Sequence, residues 1–296
     1  MILVRLKGGL GNQLFQYAAA RALAFKYNTE VFFDLTLLQD RTPLNDMVFR
    51  DYELYAFKLQ ENFANQQLIE YYNPLPTSFL KRILNKLKKY IFKPSVYIET
   101  THLYNSKFFN LPNDSCIIGL FQSEKYFKSI TDIIKKEFEF KNSFPKIVTE
   151  LGTYITSKNA ICVHIRRGDY VSNPTYSEML GAQSNQYYAK GVNLITGKVA
   201  IDELFIFSDD IEWCKQNLNF ETKTTFITDD LATVDHHAHL HLMSLCKHFV
   251  ISNSTFAWWG AWLSTNQSKI VVAPKVWFKD GVRDETDIIP HAWLKI

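Results

Sequence analysis

The chain has 296 residues, of which 47% are hydrophobic and 21% charged. It therefore folds around a substantial core, as one large domain or two of ordinary size, rather than staying disordered. A formal charge of +3 is too small to make nucleic acid a partner. No run approaches the ~18 apolar residues of a membrane-spanning helix. The N-terminus lacks a signal-peptide pattern and Met1 runs at once into a strand. No leader or stem is expected, and the cytoplasm is the expected location. Cys116, Cys162, Cys214 and Cys246 are scattered without CxxC spacing, which fits reduced core thiols better than disulfides. Aromatics are abundant, with 23 Phe and 15 Tyr; they fill cores and also line carbohydrate sites.

In chain order, Met1 to Lys7 reads as a strand, Gly8-Gly9-Leu10-Gly11-Asn12-Gln13 as a glycine loop, Leu14 to about Tyr27 as a helix, and Val31 to Asp34 as a second strand. Strand, glycine loop, helix, strand opens a Rossmann-like unit. The glycines admit an anion close to the backbone, and the amides at the helix start donate to it. A dinucleotide-binding fingerprint with Asp34 as the ribose acid is the obvious alternative. It fails at the third glycine, where Leu14 stands.

Asn73 to Pro76 reads as a loop. Lys81 to Lys93 carries six cations, Lys81, Arg82, Lys86, Lys88, Lys89 and Lys93, among apolar residues, with no acid between Glu70 and Glu99. That pattern suits a basic amphipathic helix, either a solvated face or a contact with an anionic membrane surface. Ser115 to Gln122 is expected as a strand, Lys125 to Phe138 as a helix, and Lys141 to Pro145 as a linker between domains 1–145 and 146–296.

The second half opens with a buried strand from Ala160 to Val163, leading into His164-Ile165-Arg166-Arg167-Gly168-Asp169-Tyr170. The arginines thus stand at or just beyond the carboxyl end of a strand, where open α/β sheets bind ligands. Two adjacent guanidinium forks match the oxygens of a diphosphate and never lose their charge. A surface arginine pair bridged to Asp169 is the bland alternative. Leu204 to Phe207 is a strand running into Ser208-Asp209-Asp210. Asp209 with Glu212 has capping-box spacing for a helix from Ile211, which leaves Asp210 without a structural task. Thr224 to Ile227 is a strand and Leu240 to Cys246 a helix. His248 to Ser252 is a strand ending in Asn253-Ser254-Thr255, ahead of the apolar helix Phe256 to Leu263. Hydroxyls and amides there form an anion-binding corner, an N-cap, or both. Ile270 to Pro274 supplies a last strand. His236, His237, His239 and His241 form the one cluster suggestive of metal, but nothing completes a site at ligand spacing apart from Asp235; no metal is expected.

Gly8 to Tyr17, the heptad from His164, Phe207-Ser208-Asp209-Asp210, and Leu242-Met243-Ser244 running into Asn253 to Trp262 together resemble the bacterial α-1,2-fucosyltransferases of glycosyltransferase family 11. The blocks stand in the family's order over most of the chain, and residues 40 to 110 carry little of the likeness. The resemblance implies an α/β protein of the GT-B type, two Rossmann-like domains facing across a cleft. The N-terminal domain would lie on the acceptor side, and the C-terminal one would bind the nucleotide sugar. It implies metal-independent, inverting transfer of L-fucose from GDP-β-L-fucose to the 2-hydroxyl of a terminal galactose in an oligosaccharide or O-antigen unit. By the same likeness Arg166, Asn12 and Asp169 are the catalytic candidates. The donor-binding candidates are Gly9, Gly11, His164, Arg166, Arg167, Asp210, His239, Asn253, Ser254 and Thr255. Relatives usually carry an aspartate three residues before Leu242-Met243-Ser244, where this chain has His239. If that aspartate reads guanine in relatives, the contact here falls to His239, Asp235 or His164. The competing readings are a GT-B transferase for another nucleotide sugar, a lectin-like binder, and a dinucleotide oxidoreductase.

Overall fold

A computed structural model describes residues 1–42, 48–72, 94–232 and 235–296. The loop expected at Asn73 to Pro76 and the basic stretch Lys81 to Lys93 lie outside the described residues. The chain divides into two α/β units, Met1–Phe140 and Lys141–Ile296. The stretch expected as a linker, Lys141 to Pro145, thus opens the second unit. Each unit is Rossmann-like.

The first unit holds a parallel sheet of β1 (Ile2–Arg5), β2 (Val31–Asp34), β3 (Ser95–Ile98) and β4 (Ser115–Ile118), in the order β2-β1-β4-β3. All four residues of β1 are buried, as expected of an inner strand covered on both faces. The helix after it runs from Leu10 to Lys26, four positions ahead of expectation. Gly9 is its N-cap, so Gly11, Asn12 and Gln13 occupy its first turn and the loop shrinks to Gly8 and Gly9. Gly8 makes the tight turn, with φ +76°, a conformation that costs glycine little. Alanines at 18, 19, 20, 22 and 24 are all buried and let the helix lie close against the sheet. The expected strand Ser115 to Gln122 ends at Ile118, because the backbone turns at Phe121, with φ +52°. Of the expected helix Lys125 to Phe138 only Thr131–Glu137 is α-helical. Phe127 leaves helical geometry at φ −132° to pack against Phe15, ring centroids 6.1 Å apart. Here tertiary packing overrides a local preference.

The second unit is a six-stranded parallel sheet of β5 (Ala160–Ile165), β6 (Glu203–Ser208), β7 (Thr224–Phe226), β8 (His248–Val250), β9 (Val271–Ala273) and β10 (Leu294–Lys295). Their order is β10-β9-β8-β5-β6-β7. The fully buried β5 sits beside β6 and β8. Ile270 to Pro274 does not supply the last strand, since β10 adds a further parallel partner at Leu294↔Val272. Helices Lys146–Thr156 and Asn185–Thr196 cover the sheet, and Thr255–Leu263 carries the tryptophan block. That block is core: Trp258 and Trp259 are fully buried, and Trp258 Nε1 donates to the Ile288 carbonyl at 2.8 Å. All four cysteines are buried free thiols.

In a doubly wound sheet, ligands lie beyond the carboxyl ends of the strands where the winding reverses. The reversal falls between β1 and β4 in the first unit and between β5 and β8 in the second.

Candidate active site

The arginine heptad stands at the second unit's reversal point. His164 and Ile165 are the last residues of β5, and Gly168–Ser172 forms a short helix with Arg167 at its N-cap. Arg166 sits in the turn, held from two sides. Its Nε and Nη2 meet Asp169 Oδ1 at 3.0 and 2.8 Å, and its Nη1 meets Asp209 Oδ2 at 3.1 Å. Burial disfavours its charge, but Asp209 and Asp169 outweigh that and hold the guanidinium above its ordinary pKa. The geometry leaves part of the five-donor fork for an outside anion. Arg167 is fixed differently. Its guanidinium lies 3.6 Å above the Trp213 ring, and its Nε donates to Asp210 Oδ2 at 3.1 Å. The two arginines are therefore not a side-by-side pair: Arg166 is oriented by acids, Arg167 is stacked.

The acids after β6 exchange the tasks expected of them. Asp210, not Asp209, is the N-cap of helix Ile211–Asn217, accepting from Trp213 N at 3.3 Å. Asp209 instead accepts from Arg167 N at 2.8 Å while bridging Arg166. The reason is the sheet: β5 and β6 are in register to Ile165↔Ser208, so the residues just beyond face each other across the strand ends. Asp210 was expected to bind the donor, but one of its oxygens caps the helix and the other holds Arg167. Gly168 permits the closeness, since a Cβ there would come within 2.6 Å of Asp209 Oδ2.

Across the reversal, β8 ends at Val250 and the chain continues through Ser252, Asn253 and Ser254 into helix Thr255–Leu263. Ser254 is the N-cap and, among the described residues, makes no side-chain capping bond; a helix start of this kind is where anions bind. Asn253 is 1% exposed. Its Nδ2 donates to the carbonyls of Leu180 at 2.9 Å and Trp277 at 3.0 Å, so it shapes the corner from behind.

His164 Nδ1 lies 3.0 Å from Ser252 Oγ. Burial, reinforced by the charge of Arg166 and by His239, pushes its pKa down to about 3, so the ring is neutral at ordinary pH. His239 packs edge-on to Phe207 with centroids 6.1 Å apart, which brings it to the same end of the sheet. Asp235 caps helix His236–Leu245, accepting from His237 N at 2.9 Å and facing its Nδ1 at 3.0 Å. His241 stacks on Phe144 with centroids 4.7 Å apart. His236 stacks on His237 with centroids 4.6 Å apart, while His239 and His241 have separate ring partners.

At the first unit's reversal point stands Asn12, its Oδ1 accepting from Gln122 Nε2 at 2.9 Å. Two buried glutamines that sequence reasoning passed over lock the loop. Gln13 Nε2 donates to the Gly8 and Asp51 carbonyls, both at 2.8 Å. Gln16 pairs with both backbone groups of Lys7 at 2.9 Å. Gly9, at φ −76°, caps the helix start and Gly11 lies in its first turn. Asp34 is fully buried and accepts from Arg5 Nε at 2.5 Å and Thr36 Oγ1 at 2.6 Å. It is closed to a ribose, which removes the oxidoreductase reading. Gln122, Trp213 and Ser252 were not singled out from sequence, and Asp209 was read there only as a helix cap. Only the Asp209 contact carried a usable signal, in the matching positions of the two strand ends.

Two doubly wound parallel units, the second with an acid-oriented arginine at its strand ends, fit a glycosyltransferase. The family model for glycosyl transferase family 11 matches residues 1–296, and the chain belongs to that family. It is 31% identical over 301 residues to an α-1,2-colitosyltransferase of Escherichia coli, spanning 100% of this chain and 99% of that one. It is 29% identical over 314 residues to the O-antigen biosynthesis glycosyltransferase WbnK of Escherichia coli, spanning 98% and 99%. It is 25% identical over 318 residues to a galactoside 2-α-L-fucosyltransferase of Caenorhabditis elegans, spanning 100% and 79%. Among the described residues no helix is long and apolar enough to cross a membrane.

Proposed function

We propose that this chain transfers L-fucose from GDP-β-L-fucose, with inversion, to the 2-hydroxyl of a terminal galactose in an oligosaccharide or O-antigen unit. The observation that carries the reading is Arg166, charged and fixed by Asp169 and Asp209 at the end of β5. Breaking the bond between sugar C1 and phosphate oxygen leaves the electron pair on GDP. A cation already oriented there stabilises the transition state without reorganising. The amides and hydroxyl at Ser254 and Thr255 suit the remaining diphosphate charge. Neutral His164, with His239 and Asp235, stands for base recognition; Arg167 and Asp210 hold the frame. The acceptor oxygen bonds to C1 from the opposite face as the C1–phosphate oxygen bond breaks, and its proton passes to bulk water. Asp169 is the carboxylate nearest to Arg166 in sequence, but its bonds to Arg166 make it a positioning residue. The first unit takes the acceptor side, through Asn12 and the Gly9–Gly11 turn.

No step calls for a metal. The test supplies GDP-fucose and lactose in excess EDTA and tracks GDP release and product mass. A fucosylated product establishes the donor. GDP release without it keeps the donor and changes the acceptor. A folded protein that releases none overturns the reading. A second donor is favoured by one observation, the 31% identity to a colitosyltransferase. Colitose lacks one hydroxyl of fucose, and a site that hydrogen-bonds that hydroxyl discriminates strongly between the two sugars. Rates with both GDP-sugars decide. For residues 81–93, contact with an anionic membrane surface is proposed from their charge. Liposome binding that survives neutralising those lysines would contradict it.

A further inference from the structure

Asn12 and Gln122 form a two-amide relay at the first unit's reversal point, and its polarity bears on how substrate is held. Gln122 lies just beyond β4, is 6% exposed, and donates through Nε2 to Asn12 Oδ1 at 2.9 Å. Among the described residues its Oε1 is buried without a partner. Turning both amides over would bury an NH2 group without an acceptor, which proteins tolerate less well than an under-satisfied oxygen. The direction of the bond is thereby fixed. Asn12 Nδ2 lies against the bare face of Gly8, 2.5 Å from where a Cβ would stand, and among the described residues no acceptor takes its protons.

The turn that delivers Gln122 is strained and braced. Phe121 is a bulky residue at φ +52°, where such side chains rarely sit and where held strain marks functional positions. Glu99 braces it, accepting from Leu120 N at 2.6 Å and from Phe121 N at 3.1 and 3.2 Å. A turn stabilised this heavily fixes the position of the next residue in the chain, Gln122.

We infer that Gln122 is a positioning residue that forces the Asn12 carboxamide to present its NH2, so that Asn12 donates a hydrogen bond to a substrate oxygen and takes no proton from the attacking hydroxyl. The inference rests on the transferase reading above, and deepens it. It also removes Asn12 from any search for the base.

Gln122→Glu keeps the shape and reverses the polarity. An ionised glutamate only accepts, so Asn12 turns its NH2 inward and its oxygen toward substrate; a protonated glutamate donates again. The experiment measures GDP release from GDP-fucose and lactose across about pH 5 to 8 for wild type, Gln122→Glu and Gln122→Ala. Thermal melts check that each is folded. Gln122→Glu is expected to lose at least about tenfold at the alkaline end. It should recover relative to wild type as the pH falls, burial having raised its carboxyl, while Gln122→Ala shows no such recovery. A Gln122→Glu enzyme with the wild-type rate and pH profile overturns the inference, as does equal, pH-independent loss in both variants. If Gln122→Glu does not fold, Asn12→Asp is compared with Asn12→Ala. The aspartate should be the slower, and an aspartate as active as wild type overturns the proposal. A wild type silent with GDP-fucose defeats the donor reading instead, and the profiles are then taken with the nucleotide sugar it does turn over.

Discussion

On the proposed function Arg166 carries the chemistry, because its surroundings do two opposed things. Two carboxylates keep it charged and aimed, and the three donors they occupy leave others that would meet the leaving phosphate. Arg166→Ala should lower kcat by about 10² to 10³ with an unchanged melting temperature; near-normal turnover would remove the role. His164 makes a second residue-scale prediction, through pH. In the unfolded chain an imidazole takes its proton near pH ~6.5, whereas in the fold it resists protonation down to about 3. The unfolded state therefore binds more protons between those values, and stability falls as pH drops below ~6.5, by up to about 1.4 kcal/mol per pH unit. Urea melts across this range should show a slope that flattens in His164→Gln. An identical slope in the variant would contradict the assignment.

Between elements, positions are set by strand ends meeting in register. Gly168→Ala would push a methyl against Asp209, loosening the anchor of Arg166. A fall in kcat with little change in stability is expected, and kinetics alongside a melt would show it. At the amino end of β6, Glu203 is buried and accepts from Tyr154 Oη at 2.7 Å, Thr225 Oγ1 at 2.6 Å and Lys223 Nζ at 3.0 Å. Burial opposes its charge, but these bonds outweigh it and hold the carboxyl below its ordinary pKa. The stabilisation is thus present above pH ~4.3 and is lost as pH falls through the folded value. Glu203→Leu should cost roughly 0.5–1.5 kcal/mol at neutral pH, through the lost hydrogen bonds; denaturant melts measure it.

The central strands, the glycine turn and the arginine heptad were legible in sequence because each is signalled locally, by β-branched runs, glycines and adjacent charges. The features that were not legible depend on distant neighbours. The two-residue β10 is too short for any periodicity, and the helix at Thr131 is cut short by the burial of Phe127. The exchange of tasks between Asp209 and Asp210 is set by a strand forty residues earlier, roughly the span of one crossover unit. Gln122 carries no motif of its own, and only the proximity of Asn12 reveals it.

Across the whole molecule the same device appears twice: a parallel sheet whose winding reverses beside its first strand, with polar side chains gathered at the carboxyl ends of the strands flanking that point. In the second unit these are arginine, histidine and a helix start; in the first they are two carboxamides and a glycine turn. On the proposed function, the arginine set would meet the charged leaving group and the carboxamide set a neutral hydroxylic partner. The most direct measurement is the structure of the product, by proton NMR, after incubating the protein with GDP-β-L-fucose and lactose in excess EDTA. An α-linked fucose on the galactose 2-hydroxyl is the expected result. A β-linkage, a different position, or free fucose with the acceptor unchanged would contradict inverting 2-fucosylation.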